Sequence, residues 1–113
     1  MQFVHSKKDN ILVITPEMDS LDAKDSSEFK SKVIELIQAN AVNQVIFDLN
    51  KVQFIDSSGL GTFLAILRTL HGSGGELKLS RMNKPIRTMF ELVSMHKVFE
   101  IFNSTEDAIR SFK

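Results

Sequence analysis

The chain contains no cysteine. That excludes a disulfide framework, a thiolate metal site and a cysteine nucleophile. An excess of one charge is missing too, because 14 Lys and Arg balance 14 Asp and Glu. Nucleic acid and anionic membrane are therefore set aside as main partners, since affinity for phosphate backbones comes from clustered positive charge. No window approaches the roughly 20 apolar residues of a membrane span. The opening residues Met1-Gln2-Phe3-Val4-His5-Ser6-Lys7-Lys8 lack the basic, apolar and small-residue order of a signal peptide, so the expected address is the cytoplasm. With two prolines, five glycines and no linker, low-complexity run or repeat, residues 1–113 are expected to form one domain.

What is present alternates between two periods. Phe3 to Ser6 and the β-branched run Ile11 to Thr15 predict two strands, joined through Lys8-Asp9-Asn10 and stopped by Pro16, which cannot donate to a central ladder. From Asp22 or Ala23 the spacing turns helical, with Phe29, Val33, Leu36 and Ile37 on one face. Val45 to Leu49 reads as a buried strand, and Leu60, Phe63, Leu64 and Leu67 as a second helix ending near the glycines after His71. Glu76 to Ser80 alternates at period two. Ile86, Met89, Phe90 and Val93 form a third helical stripe behind Pro85. Val98 to Phe102 predicts a strand, and Ala108, Ile109 and Phe112 a last helix. The order β-β-α-β-α-β-α-β-α implies an α/β fold. About five strands would form a mixed, mostly parallel sheet with one antiparallel edge, carrying about four helices.

Phe54-Ile55-Asp56-Ser57-Ser58-Gly59-Leu60-Gly61 lies between strand and helix, where open α/β sheets place ligand and modification sites. Asp56 or Ser57 suits a helix N-cap. A phosphoryl group on a serine here would meet free amides and the positive end of the helix dipole. Gly59 and Gly61 weaken a helix, so they are expected either to admit a partner's backbone or to allow tight packing. If docking is the reason, a bulkier residue there should obstruct it without unfolding the chain. Read from the residues alone, the segment fits a plain helix cap as well as a modification site.

The stretch resembles the signature of the STAS family, specifically bacterial anti-sigma factor antagonists, in which Asp-Ser-[Ser/Thr/Ala]-Gly-Leu-Gly opens the second helix. Asp56 to Gly61 match it in full, and size and element order agree along nearly the whole chain. The resemblance implies that Ser57 is the phosphoacceptor and that Ser58 occupies the variable neighbouring position. Asp56, Ser58, Gly59, Leu60 and Gly61 would then form the switch and partner-binding region. It also implies an acidic turn near the serine, matched by Glu17 and Asp19, although Pro16 stands where glycine is usual. Asp19 is the stronger candidate of the two, since a carboxylate beside the serine would repel a phosphate and sharpen a switch. The implied partners are an anti-sigma factor that is also a serine kinase, supplying ATP and Mg²⁺, and a PP2C-type phosphatase. The implied protein has no cofactor of its own and is a monomer or weak dimer.

Other chemistries fit less well. His5, His71 and His96 share no ligand spacing, Ser57 is not in Gly-x-Ser-x-Gly, and Gly72-Ser73-Gly74-Gly75 lacks the Lys-Ser/Thr of a P-loop. No enzyme activity is expected. Two alternatives stay open. One is a STAS scaffold or a transporter- or secretion-associated subunit, because fold does not fix the circuit. The other is a phospho-aspartate receiver with Asp48 at a strand end and Lys84-Pro85 downstream, which the opening strand pair argues against.

Overall fold

Asp9 and Asn10 both adopt left-handed backbone, at φ 53° and 67°. That is the sign a two-residue hairpin turn needs to match the twist of its strands, and these residue types tolerate it best after glycine. They join β1 (Phe3–Lys8) to β2 (Ile11–Pro16) as an antiparallel pair running from Lys8↔Ile11 to Phe3↔Pro16. The structure, a computed structural model, describes residues 3–113. Beyond the hairpin come β3 (Ser20–Leu21), α1 (Ser26–Asn40), β4 (Gln44–Asp48), β5 (Phe54–Ile55), α2 (Ser57–Gly72), β6 (Glu76–Ser80), α3 (Lys84–Leu92), β7 (Glu100–Phe102) and α4 (Thr105–Ser111).

The main sheet has the order β1-β2-β4-β6-β7, with every pairing parallel except β1 to β2. The antiparallel hairpin therefore forms one edge, as the strand order predicted. A second, two-stranded sheet pairs β3 with β5 in parallel, Ser20↔Phe54 and Leu21↔Ile55. Two-residue strands carry no periodicity, so this small sheet left no trace in the hydrophobic pattern.

Two departures from the expected boundaries have local causes. The first helix starts at Ser26, because Asp22 closes a turn with the Asp25 amide at 3.1 Å and then accepts the Ser26 amide at 2.9 Å and hydroxyl. The last strand is only Glu100–Phe102. The residues before it, Met95–Lys97, make a 3-10 turn that follows Ser94 in left-handed backbone at φ 60°.

The core lies between one face of the sheet and helices α1, α2 and α3. Phe29, Phe47 and Phe63 meet there, with Phe47 and Phe63 centroids 5.0 Å apart and Phe29 and Phe47 5.7 Å apart. Each fully buried side chain of this size contributes roughly 1.5–3 kcal/mol relative to exposure. The other face is covered thinly by α4, whose Ala108 packs with Ile11, Val13 and Ile46 of the sheet. Lys78 points to this side, 4% exposed. Its ammonium donates to Ser111 Oγ at 2.7 Å and lies 4.1 Å from the Phe112 ring centroid. The hydrogen bond and the aromatic face together offset the cost of burying the charge.

Candidate functional site

The short β3–β5 sheet delivers the chain to the first turn of α2. Asp56 is its N-cap, in extended backbone, and its Oδ1 accepts the Gly59 amide at 2.9 Å. Of the two cap candidates the structure selects Asp56, which leaves Ser57 as the first helical residue. The second carboxylate oxygen reaches out of the helix and accepts the Ala23 amide at 3.1 Å, while the Asp56 amide donates to the Leu21 carbonyl at 3.2 Å. One residue therefore satisfies an orphan amide of α2 and ties the helix to the β3–α1 turn.

Ser57 and Ser58 are both exposed. They sit at the positive end of a 16-residue helix, where negative charge is favoured. Leu60 is half-buried and packs against the core, and Gly61 is exposed with no atom within 4 Å of where a Cβ would stand. Gly59 behaves otherwise. A Cβ there would fall 2.5 Å from the Leu21 carbonyl oxygen and 2.9 Å from Ile55 Cγ2. Its close approach is to the chain's own backbone, so tight packing accounts for Gly59, and docking remains open only for Gly61.

The acidic turn lies just before β3. Asp19 is exposed, and its carbonyl accepts the amides of Gln53 at 2.7 Å and Phe54 at 3.1 Å. It belongs to an open depression shared with Glu17, Met18, Asn50, Lys51 and Gln53, in which Glu17 pairs with Lys51 at 2.8 Å. The parallel register Leu21↔Ile55, carried one residue further, sets Asp22 level with Asp56. Asp22 was missed because its proximity depends on a pairing two residues long. Its own carboxylate accepts the Lys24 amide at 3.1 Å, which shapes the turn.

Asp48, the alternative acceptor at the end of β4, is engaged elsewhere. Its carboxylate takes two hydrogen bonds from Arg81, at 3.0 and 2.8 Å, and a third from the Asn50 amide at 3.2 Å. The hydrogen bond to Asp48 raises the Arg81 pKa above its already high ordinary value, so the guanidinium stays charged. A fork of this kind fixes the carboxylate at the strand end. Lys84 and Pro85 open α3 behind the Asn83 cap, whose side chain accepts the Ile86 amide at 3.1 Å.

A mixed sheet with an antiparallel hairpin edge, and an exposed serine pair at the start of its second helix, defines a small α/β domain whose accessible chemistry is a hydroxyl ledge. A profile of the STAS domain matches residues 2–108, and the chain belongs to that family. Among its relatives is the anti-sigma F factor antagonist of Paenibacillus polymyxa, 27% identical over 89 residues that cover 79% of this chain and 76% of the relative. An anti-sigma factor antagonist of Mycobacterium paratuberculosis superposes with a TM-score of 0.83 at 18% identity, covering 97% of this chain and 92% of the other. The phosphorylated form of the Bacillus cell fate determinant SpoIIAA does so with a TM-score of 0.73 at 23% identity, covering 99% and 100%.

Proposed function

We propose that this chain is an anti-sigma factor antagonist, a cytoplasmic, non-catalytic interaction module switched by phosphorylation of Ser57. The observation that carries this reading is the placement of Ser57 as the first, exposed residue of α2, directly after the Asp56 cap. The relatives named as antagonists of anti-sigma factors support the role. In the unphosphorylated state the ledge of Ser57, Ser58, Leu60 and Gly61 docks on an anti-sigma factor that is also a serine kinase. That partner brings ATP and Mg²⁺ and transfers the γ-phosphoryl to the Ser57 hydroxyl, which loses its proton as ADP leaves. A PP2C-type phosphatase reverses the step by hydrolysis.

Phosphorylation adds about −1.5 to −2 charges at neutral pH. At Ser57 that charge follows directly on the Asp56 carboxylate, and facing a docked partner it would be desolvated and unpaired. The helix start tolerates the charge locally because its amides and dipole are positive. The partner interface does not, and the complex separates without refolding.

Phosphopeptide mapping after incubation with the cognate kinase and ATP tests the assignment. Ser57→Ala is expected to abolish labelling and keep partner binding, Ser58→Ala to remain phosphorylatable, and Ser57→Asp to weaken binding. Label on Ser58, or undiminished label on Ser57→Ala, would remove the assignment.

A further inference from the structure

We infer that Asp56 is a positioning residue for phosphoryl transfer to Ser57, acting by bracing the β3–α1 turn against the serine ledge so that the two present one rigid docking surface. The inference rests on the reading of Ser57 as phosphoacceptor and adds to it the group that sets its position. A helix cap needs one oxygen, and Oδ1 of Asp56 already serves the Gly59 amide at 2.9 Å. Capping alone leaves the Oδ2 contact to the Ala23 amide at 3.1 Å, across 33 residues of sequence, without a purpose.

That contact closes a small frame. The Asp56 amide donates to the Leu21 carbonyl, and the same carbonyl lies where a Cβ on Gly59 would collide. Leu21 pairs with Ile55, so both chains enter the frame in fixed register. Asp22 is held at the corner by its turn with Asp25 and by the Lys24 amide on its side chain. The brace therefore sets where the Asp22 carboxylate and the 22–25 turn stand relative to Ser57. A kinase that engages turn and ledge together finds them arranged in advance, and avoids the ordering cost of assembling them. Both hydrogen bonds to the carboxylate are charge-assisted, the stronger sort.

Ala23 offers a way to cut the brace without touching the cap. It is exposed and stands second in the turn Asp22 to Asp25, the position that proline favours, with a backbone φ outside the left-handed region. Ala23→Pro removes the donor and leaves the Gly59 contact in place. Asp56→Asn keeps an oxygen for the Gly59 amide but turns its NH₂ toward Ala23, which also ends the brace.

The test measures kinetics of Ser57 phosphorylation by the cognate anti-sigma kinase with radiolabelled ATP, for wild type, Ala23→Pro, Asp56→Asn and the double variant. Each single variant is expected to raise KM about tenfold with kcat within about twofold, the size of one charge-assisted hydrogen bond. The double variant should be no worse than either single one, because both cut the same contact. A wild-type KM in Ala23→Pro, or additive losses in the double variant, overturns the inference. Where the wild type itself takes no phosphate on Ser57, the phosphoacceptor reading has failed. The brace is then judged by amide hydrogen exchange alone. Ala23→Pro should speed exchange at Gly59 and Leu60, whose amides Asp56 accepts, about tenfold, and unchanged exchange overturns it.

Discussion

At its start helix α2 presses Gly59 against the Leu21 carbonyl, and just past its end Gly75 is pressed against the Asn43 carbonyl. The far end is closed on itself. Gly74 takes φ 77°, its amide donates to His71 O at 3.1 Å, and the Gly75 amide donates to Leu70 O at 2.7 Å. This is the doubled hydrogen bond that finishes a helix and satisfies its last carbonyls. The Asn43 carbonyl in turn accepts the Glu76 amide at 2.9 Å, which aligns β6 with β4. At the near end the backbone is equally well fastened through Asp56, yet two hydroxyls are left facing solvent. Each end sets a glycine against a neighbouring carbonyl, but the near end leaves Ser57 and Ser58 exposed side by side, whereas at the far end the Ser73 hydroxyl donates back to the Leu70 carbonyl at 3.0 Å. On the proposed reading the rigid backbone would present Ser57 to a partner, while at the other end it aligns the sheet.

The sharpest way to break this comparison is Gly75→Ala. Its Cβ would stand 1.9 Å from the Asn43 carbonyl oxygen and 2.6 Å from Asn43 Cβ, so strand backbone must move. A loss of about 2–4 kcal/mol in urea unfolding is expected, with an unchanged m-value. Wild-type stability would mean that the 75–76 segment shifts freely, and the parity of the two ends would be lost.

Gly59→Ala is expected to cost less, about 1–2 kcal/mol, because the clash of 2.5 Å is with a two-residue strand that can yield slightly. Gly59→Val, which a docking role would have left folded, should lower Tm further by adding two methyl groups against Ile55 and Leu21. Thermal unfolding followed by circular dichroism checks both. If Gly59→Val melts with the wild type while partner binding falls, docking and not packing explains this glycine.

Gly59 also marks where sequence reading stops. The five-strand order, the antiparallel edge and the helical stripes were legible because each rests on a period several residues long. The hairpin turn was half legible: Asp9-Asn10 carries the chemistry, although β1 runs on to Lys8. The Asp56 cap was legible because a cap is local. What the pattern could not carry was the β3–β5 pairing, on which the neighbours of Ser57 depend. Without it nothing marks Asp22, and Gly59 looks as free as Gly61. Likewise the buried Lys78 alternates like a solvent-facing residue, and only the Phe112 ring and Ser111 brought by α4 show that it is enclosed.

The smallest effect belongs to Gly61→Ala, and it separates the two glycines of the ledge. Gly61 is exposed within α2, and a Cβ there meets nothing within 4 Å. Alanine restores helix propensity, so stability is expected to rise by about 0.5–1 kcal/mol, seen as a higher urea midpoint. Its sign is opposite to that of Gly59→Ala, although the two sit two residues apart. Partner affinity, measured by titration calorimetry with the anti-sigma factor, decides why a glycine stands there. If the partner's backbone approaches α2 closely, one added methyl should weaken binding severalfold while the free protein is stabilised. Unchanged affinity together with the stability gain would show that the interface passes Gly61 at a distance, leaving Ser57, Ser58 and the 22–25 turn as the contact surface.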